Sequence, residues 1–349
     1  MLICNSMPIS ISVKSSVAEI LYSAGVIERK IKKLSKDRFL ILMYHRVIPK
    51  KEVEYGVQEG MYVDPLSFEM HLEYLKKYFS IMPLSAINPD ANGSSIKSNN
   101  TPVCFLTFDD GWYDFFKYAF QILKAHRIPA TVFLPTSFID TNNVFWTDRV
   151  VNLYNHLINI PYIKHTRTSD NDRLAEKLES IDGSIPEKIE TAISILKKLD
   201  YDRVVCTISR LEKRWEIEPI TNKRSFLNWD EAREMVNSGL ISFGSHTNNH
   251  RILTKLRDDE IHQELFHSKT KLITENTVKN EFIPFSYPNG DHDDRVVNIV
   301  KEAGYHLAVT TKKGWNTYDT PRFRLNRVSI HQDISYSREM FGCRITNLI

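Results

Sequence analysis

Seven short apolar runs recur along this chain, and most of them stop at polar residues. They are Phe39–Tyr44, Val103–Phe108, Ala130–Pro135, Leu240–Gly244, Phe282–Ser286, His306–Thr310 and Leu325–Ile330. Each has the length of a buried strand and is short for a core helix. The stretches between them carry helical spacing. Asp64 is a good N-cap, Pro65 suits a first turn, and Phe68, Leu72, Leu75 and Phe79 then recur every three or four residues. Phe116, Ala119, Phe120 and Leu123 share one face of a second helix. Asn228, with Glu231 three residues on and Gly239 as a stop, bounds a third. Strands and helices alternating in this number predict a parallel α/β barrel.

The alternation breaks from about Val150 to Ser225. Strand signals vanish there, and amphipathic helices take over, one of them starting at Pro186 with Ile189, Ile193 and Leu196. This is expected to be a helical insertion beside the barrel mouth, walling a cleft, rather than a separate domain. Residues 1–38 form an N-terminal helical segment and 39–349 the barrel. Val17–Leu34 is expected to be one helix, with Ile20, Leu21 and Ile27 on one side and a basic "ERKIKK" run. Packing on its own domain is the simple reading, and a membrane-surface anchor is the alternative. Asn88–Pro102 reads as a polar loop.

Composition excludes several classes. The chain has 349 residues, 42% hydrophobic and 26% charged, which supports a substantial core and rules out global disorder. Lys and Arg number 46 against 43 Asp and Glu, so no basic footprint for nucleic acid exists. Cys4, Cys104, Cys206 and Cys343 are scattered without a CxxC pair, which suits a reducing compartment. No run is long enough to span a bilayer, and the N-terminus lacks the pattern of a signal peptide. A cytoplasmic location is therefore expected.

The ends of the apolar runs collect chemistry. His45 follows the first, Asp109 and Asp110 the second, His246 and His250 the fourth, "YPNG" the fifth and His331 the last. In parallel barrels, functional groups sit at these C-terminal ends. His246 and His250 are four apart, which on one helical turn would aim both imidazoles at one metal ion. One acid of the Asp109–Asp110 pair can complete a two-His, one-carboxylate set with open positions. The other acid can then serve as general base for a water activated by that ion. Gly111 lets the chain bend so that both acids enter one pocket. Taken singly, the histidines read equally as surface residues and the acids as a solvated turn.

These residues resemble the polysaccharide deacetylase family, also called carbohydrate esterase family four, with its NodB-like homology domain. Its first motif, TFDDG, stands at Thr107–Gly111, and its second, H-[ST]-x-x-H, at His246–His250. "LMYHRV" (Leu42–Val47), "IPATVFL" (Ile128–Leu134) and "GYHLAVTT" (Gly304–Thr311) resemble a bacterial branch found among surface-polysaccharide genes. The resemblance implies an α/β fold, a distorted (β/α) barrel of about seven strands with a helical insertion. It implies a divalent metal, usually Zn2+, on Asp110, His246 and His250, with Asp109 as catalytic base. The implied reaction removes N-acetyl groups from an N-acetylhexosamine-containing glycan, and a histidine then protonates the leaving amine.

Two motifs depart from the pattern. The third, usually R-x-P-Y-G, reads Ser286-Tyr287-Pro288-Asn289-Gly290, so its arginine is missing. Asn289 would supply an oxyanion N–H. Arg327 on the last strand is the candidate replacement for the guanidinium, or equally a surface residue; with no motif-three arginine, the Asp109 carboxyl is expected to titrate higher than in relatives that keep it. The fifth motif, L-x-x-x-H, is not kept, since His331 follows Leu325 by six, which leaves His45 and His331 as rival general acids. Trp315 and Tyr287 are candidates for a substrate groove, with burial in the core as the plainer reading of the tryptophan. The competing functions are a hydrolase of O-acetyl esters or other non-peptide C–N bonds, and a catalytically silent glycan-binding protein. The partner expected in each case is a carbohydrate, and a lipid-linked one would bring peripheral membrane contact.

Overall fold

The structure is a computed structural model; it describes residues 11–34, 38–53, 60–87, 101–159, 173–217, 224–278 and 282–348. Seven parallel strands close into a barrel: β1 (Arg38–Tyr44), β2 (Val103–Phe108), β3 (Ala130–Leu134), β4 (Ile241–Ser245), β5 (Phe285–Ser286), β6 (Ala308–Lys313) and β7 (Leu325–Ser329). Each pairs in parallel with the next, and β7 pairs with β1, which pairs with β2. Two-residue strands extend the ring at its edge: Asn316–Thr317 runs antiparallel to β1, and Ser80–Ile81 runs parallel to β2. All seven expected strands are present, with ends shifted by up to three residues.

The strands alternate between two environments, as the two-residue period of a strand requires. Phe39 and Ile41 of β1, Phe105 of β2, Phe133 of β3, Leu307 and Val309 at β6 and Leu325 of β7 form a buried cluster of their own. Leu40, Leu42, Cys104, Leu106, Val132, Leu134 and Phe243 belong instead to the core shared with the surrounding helices. The first set fills the barrel and the second faces outward. Burying each large apolar side chain contributes about 1.5–3 kcal/mol. The inward parity includes Arg327 within β7 and, continued past the strand ends, reaches His45, Asp109 and His246. The fold therefore gathers these groups at one end of the ring.

The helix Pro65–Tyr78 begins as expected, with the Asp64 carboxylate accepting from the Leu66 N–H. The helix Trp229–Asn237 has its capping box between Asn228 and Glu231, and the chain turns away at Gly239, φ +75°. The N-terminal segment departs from expectation. It is not one helix but two, Ile11–Ser23 and Val26–Leu34, broken at Gly25, whose φ of +67° leaves the helical region. Ala18, Ile27 and Ile31 are buried in the main core, and Ile27 packs against Gly342 of the last helix, Arg338–Thr346. Among the described residues no helix is long and apolar enough to cross a membrane. Most of the polar loop expected at Asn88–Pro102 lies outside the described residues, as does the chain start on which the signal-peptide reading rested.

The insertion begins slightly early, with helices Trp146–Asn159, Arg173–Glu179, Ile185–Leu196 and Tyr201–Arg214. It buries Leu153, Tyr154, Leu178, Ile193, Ile208 and Leu211 in a core separate from that of the barrel. Amphipathic helices without a strand to cover must bury their apolar stripes on one another.

Candidate active site

The TFDDG segment ends β2 in a forced turn. Asp110 has φ +76° and Gly111 φ +65°. The positive φ favours glycine at 111, and a Cβ there would stand 2.5 Å from Leu134 Cδ2 and force that side chain to shift. The left-handed backbone at Asp110 is unfavourable for a side chain that is not glycine, and such strain concentrates at functional sites. Its consequence is that two consecutive acids, 3% exposed each, enter one cleft.

Arg327 holds the first of them. Its guanidinium is fully buried and donates from Nη1 to Asp109 Oδ1 and from Nη2 to Asp109 Oδ2, both at 2.7 Å. Nη1 also reaches Thr107 Oγ1 at 3.2 Å, Nη2 reaches Ser286 Oγ at 3.0 Å, and Nε reaches the Thr310 carbonyl at 2.9 Å. All five N–H groups are thereby satisfied. Burial opposes ionisation of Asp109, yet the Arg327 guanidinium and the nearby imidazoles hold its carboxyl well below the usual carboxylate range. The premise of the expected higher titration, a carboxyl without a guanidinium, does not hold. The guanidinium missing from the third motif is supplied by the last strand, and Ser286 stands against both groups.

Asp110 Oδ2 accepts from the Trp112 indole N–H at 3.1 Å, while Oδ1 is buried without a hydrogen-bond partner among the described residues. Oδ1 lies 3.6 Å from His246 Nε2 and 3.4 Å from His250 Nε2. The histidines do not share a helical turn, as their spacing suggested. They lie on a loop in which Thr247 and His250 both have positive φ, 66° and 54°. His246 Nδ1–H donates to the Ser286 carbonyl at 2.7 Å, leaving the Nε2 lone pair toward Asp110. The Phe145 ring stacks on His250 at 4.5 Å.

The three groups fit a divalent cation. Tetrahedral donors at about 2.0–2.1 Å from an ion stand about 3.4 Å apart, close to the spacing found here. Burial pushes both imidazoles down, so each keeps a lone pair at neutral pH. Burial and the neighbouring Asp109 charge push the Asp110 carboxyl up to about 8, a cost that a cation beside it would offset. Among the described residues this is the one cluster of potential ligands with such geometry.

His45, Tyr287 and Asn289 also line the cleft. Burial lowers His45 to about 4, which leaves it neutral at pH 7. Tyr287 is fully buried, with its hydroxyl donating to the Phe323 carbonyl at 3.0 Å. Asn289 has φ +59°, and its Oδ1 accepts from Lys197 at 3.0 Å. Two candidates stand apart. His331 does not line the cleft and its Nδ1 pairs with Asp333. Trp315 does not either; it donates to the Ile345 carbonyl at 2.6 Å and packs on Phe79, so it belongs to the core rather than to a sugar groove.

The cleft also contains residues that the sequence did not single out. Arg46 follows His45, its Nε bound to Asp114 at 2.7 Å and its guanidinium stacked on Trp112 at 4.5 Å. Trp146, Asp148 and Lys197 come from the insertion. A lone acid in the first turn of a helix and a lysine at a helix end look like ordinary terminus charges, so no sequence signal marked them.

With this geometry in place, comparison with known proteins is decisive. The polysaccharide deacetylase family model matches residues 96–172 and 180–308, well over half of the chain. This chain belongs to the polysaccharide deacetylase family. A stretch of 171 residues is 25% identical to YxkH of Bacillus subtilis (strain 168), which carries a polysaccharide deacetylase name; it covers 49% of this chain and 56% of YxkH. The chain thus spans about half the length of that curated relative. Solved structures share the fold. The Streptococcus pyogenes deacetylase PplD, in complex with acetate, superposes with a TM-score of 0.54 at 20% identity, covering 85% of this chain and 94% of PplD. BC0361, a polysaccharide deacetylase from Bacillus cereus, gives 0.54 at 22% identity over 88% and 69% of the two chains. IcaB from Ammonifex degensii gives 0.54 at 16% identity over 89% and 98%.

Proposed function

We propose that this protein is a divalent-metal-dependent hydrolase that removes N-acetyl groups from an N-acetylhexosamine-containing glycan, polymeric or lipid-linked. The observation that carries the reading is the division of labour between adjacent acids. Asp109 is held ionised by Arg327, while Asp110 presents a partnerless Oδ1 to two neutral imidazoles. Asp110, His246 and His250 would hold the cation, and zinc is the first candidate for this donor set. Such an ion, when bound, supplies Lewis acidity that polarises an acyl oxygen and lowers the pKa of water.

The remaining work falls to the chain. Asp109 retains free lone pairs beside its two Arg327 bonds, so its carboxylate can accept a proton in the cleft. Arg327 fixes the direction of that carboxylate and keeps it charged, and Asn289, which lines the cleft, would offer an oxyanion N–H. His45, which lines the cleft where His331 does not, would carry a proton to the leaving nitrogen. Being neutral in the free protein, it must first receive that proton within the reaction.

A silent binding protein is disfavoured by this arrangement. Binding a neutral glycan needs no buried carboxylate kept ionised by a two-pronged arginine ion pair. The test is acetate release from an N-acetylated glucosamine oligomer, before and after chelation and after zinc is restored. Release only from an O-acetylated ester would replace the amide reading with the ester one. No release from either, by protein carrying one bound divalent ion, would sink the hydrolase reading.

A further inference from the structure

The helical insertion contributes an unpaired acceptor to the cleft. Asp148 stands in the first turn of Trp146–Asn159 and lines the same cleft as Asp109 and Asp110. The residue as a whole is half-buried, but its Oδ2 is shielded from solvent and has no hydrogen-bond partner among the described residues. A buried acceptor left unsatisfied costs about 1–3 kcal/mol, more if it is charged, so such atoms call for an explanation. Asp148 is not a member of the donor cluster Asp110, His246 and His250, although its charge reaches Asp110. Burial pushes the Asp148 carboxyl up to about 7, opposed by Arg46 and by a backbone bond from Phe145.

Arg46 is a fixed donor lining the same cleft, near enough to Asp148 for its charge to act on it. Its Nε is tied to Asp114, its plane lies on the Trp112 indole, and it too lines the cleft. A pinned donor and a pinned acceptor in one cleft suit a group that both gives and takes hydrogen bonds. A sugar hydroxyl is such a group.

We propose that Asp148 and Arg46 form a sugar-hydroxyl clamp, in which Asp148 accepts from a ring hydroxyl of the bound hexosamine and Arg46 donates to the same hydroxyl or its neighbour. The clamp rests on the glycan reading above and deepens it. One half belongs to the barrel and the other to the insertion, so the insertion sets which sugar the common site accepts. A carboxylate that would otherwise stay unpaired makes the clamp selective, because a sugar lacking that hydroxyl leaves the acceptor buried and empty.

The experiment measures glycan binding separately from turnover. Calorimetry with zinc-loaded protein would compare an N-acetylglucosamine oligomer with a series of single-position deoxy analogues, for wild type, Asp148→Asn and Asp148→Ala. Wild type should bind the parent at least about tenfold more tightly than one particular deoxy analogue, a gap of about 1.4 kcal/mol. Asp148→Ala should lose that discrimination and bind parent and analogue equally, with thermal midpoint and zinc content unchanged. The near-isosteric Asp148→Asn, which keeps one acceptor oxygen, should lose less and controls for folding. Undiminished discrimination in Asp148→Ala overturns the clamp, as does a uniform loss across all analogues or a wild type that binds no member of the series. Acetate release by wild type, assayed in parallel, judges the hydrolase reading on its own. A clamp that discriminates in a protein without turnover would uphold this inference and reject that one.

Discussion

Arg327 and Asp109 meet in a two-pronged ion pair, 2.7 Å on each prong, between side chains that are 0% and 3% exposed and 218 residues apart in sequence. The pair is joined by Thr107, Ser286 and Thr310, so it also links β2, β5, β6 and β7 across the barrel. Breaking such a pair from one side leaves a buried charge without compensation. Arg327→Ala should therefore lower unfolding free energy by about 3–5 kcal/mol. Arg327→Lys keeps the charge but not the fork, and should fall between that variant and wild type. Urea titration at pH 7 reads the effect, and an Arg327→Ala midpoint equal to wild type would contradict the account.

The two acids should fail differently. Asp110→Asn should weaken metal binding, because a neutral amide is a poorer ligand for a divalent cation. Asp109→Asn should retain the metal but lose turnover, by on the order of a hundredfold to ten-thousandfold for a missing general base. Bound-metal analysis beside acetate release separates the outcomes. Wild-type activity in Asp109→Asn would mean that Asp109 is not the base.

Removing either imidazole tests the ligand set. Purified protein should carry about one divalent ion per chain, as a single three-ligand site requires. His246→Ala and His250→Ala should each abolish stoichiometric binding, with the fold retained by circular dichroism. Unchanged metal content in both would move the site elsewhere.

Acid sensitivity should trace in part to a histidine far from the chemistry. His71 is fully buried, stacked on Phe341 at 4.0 Å, with Nε2–H donating to the Ser335 carbonyl at 2.6 Å and the Tyr44 hydroxyl facing Nδ1 at 3.4 Å. Burial lowers its pKa to about 4, whereas an unfolded histidine titrates near 6.5. The folded state thus favours the neutral ring. Its stabilisation is complete above the unfolded value, declines as pH falls below it, and is gone below about 4. The slope in that window is about 1.4 kcal/mol per pH unit for one proton. His71→Gln should remove about one proton's worth of this slope, as read from urea midpoints between pH 4 and 8. Parallel pH profiles for the two proteins would refute the assignment.

Much of the fold was legible in the chain because barrel strands are short, apolar and bounded by helical periodicity. The seven strands, the Asp64 and Asn228 caps and the insertion all follow from local pattern. The N-terminal helix was misread as continuous because apolar spacing outweighed Gly25, a residue whose positive φ only the folded chain displays. The metal-ligand candidates were likewise legible from their placement after strands, although the reason offered for the histidines was wrong. His246 and His250 converge through a loop with two left-handed residues rather than through a helical turn.

What the sequence determined by itself was alternation and order: that successive residues of each strand face opposite sides, and that His45, Asp109 and His246 fall just beyond strand ends. Both follow from the two-residue period of a strand, which needs no long-range information. What only the tertiary structure decided was partnership. Arg327 could be a surface residue on the last strand until closure of β7 onto β1 brings its guanidinium over Asp109. Packing against Phe79 and the last helix draws Trp315 to the core, and it is the packing of the insertion that brings Asp148 and Lys197 into the cleft. A charge finds its counter-charge through space, and the distance between two groups across a closed barrel is not written in the spacing between them along the chain.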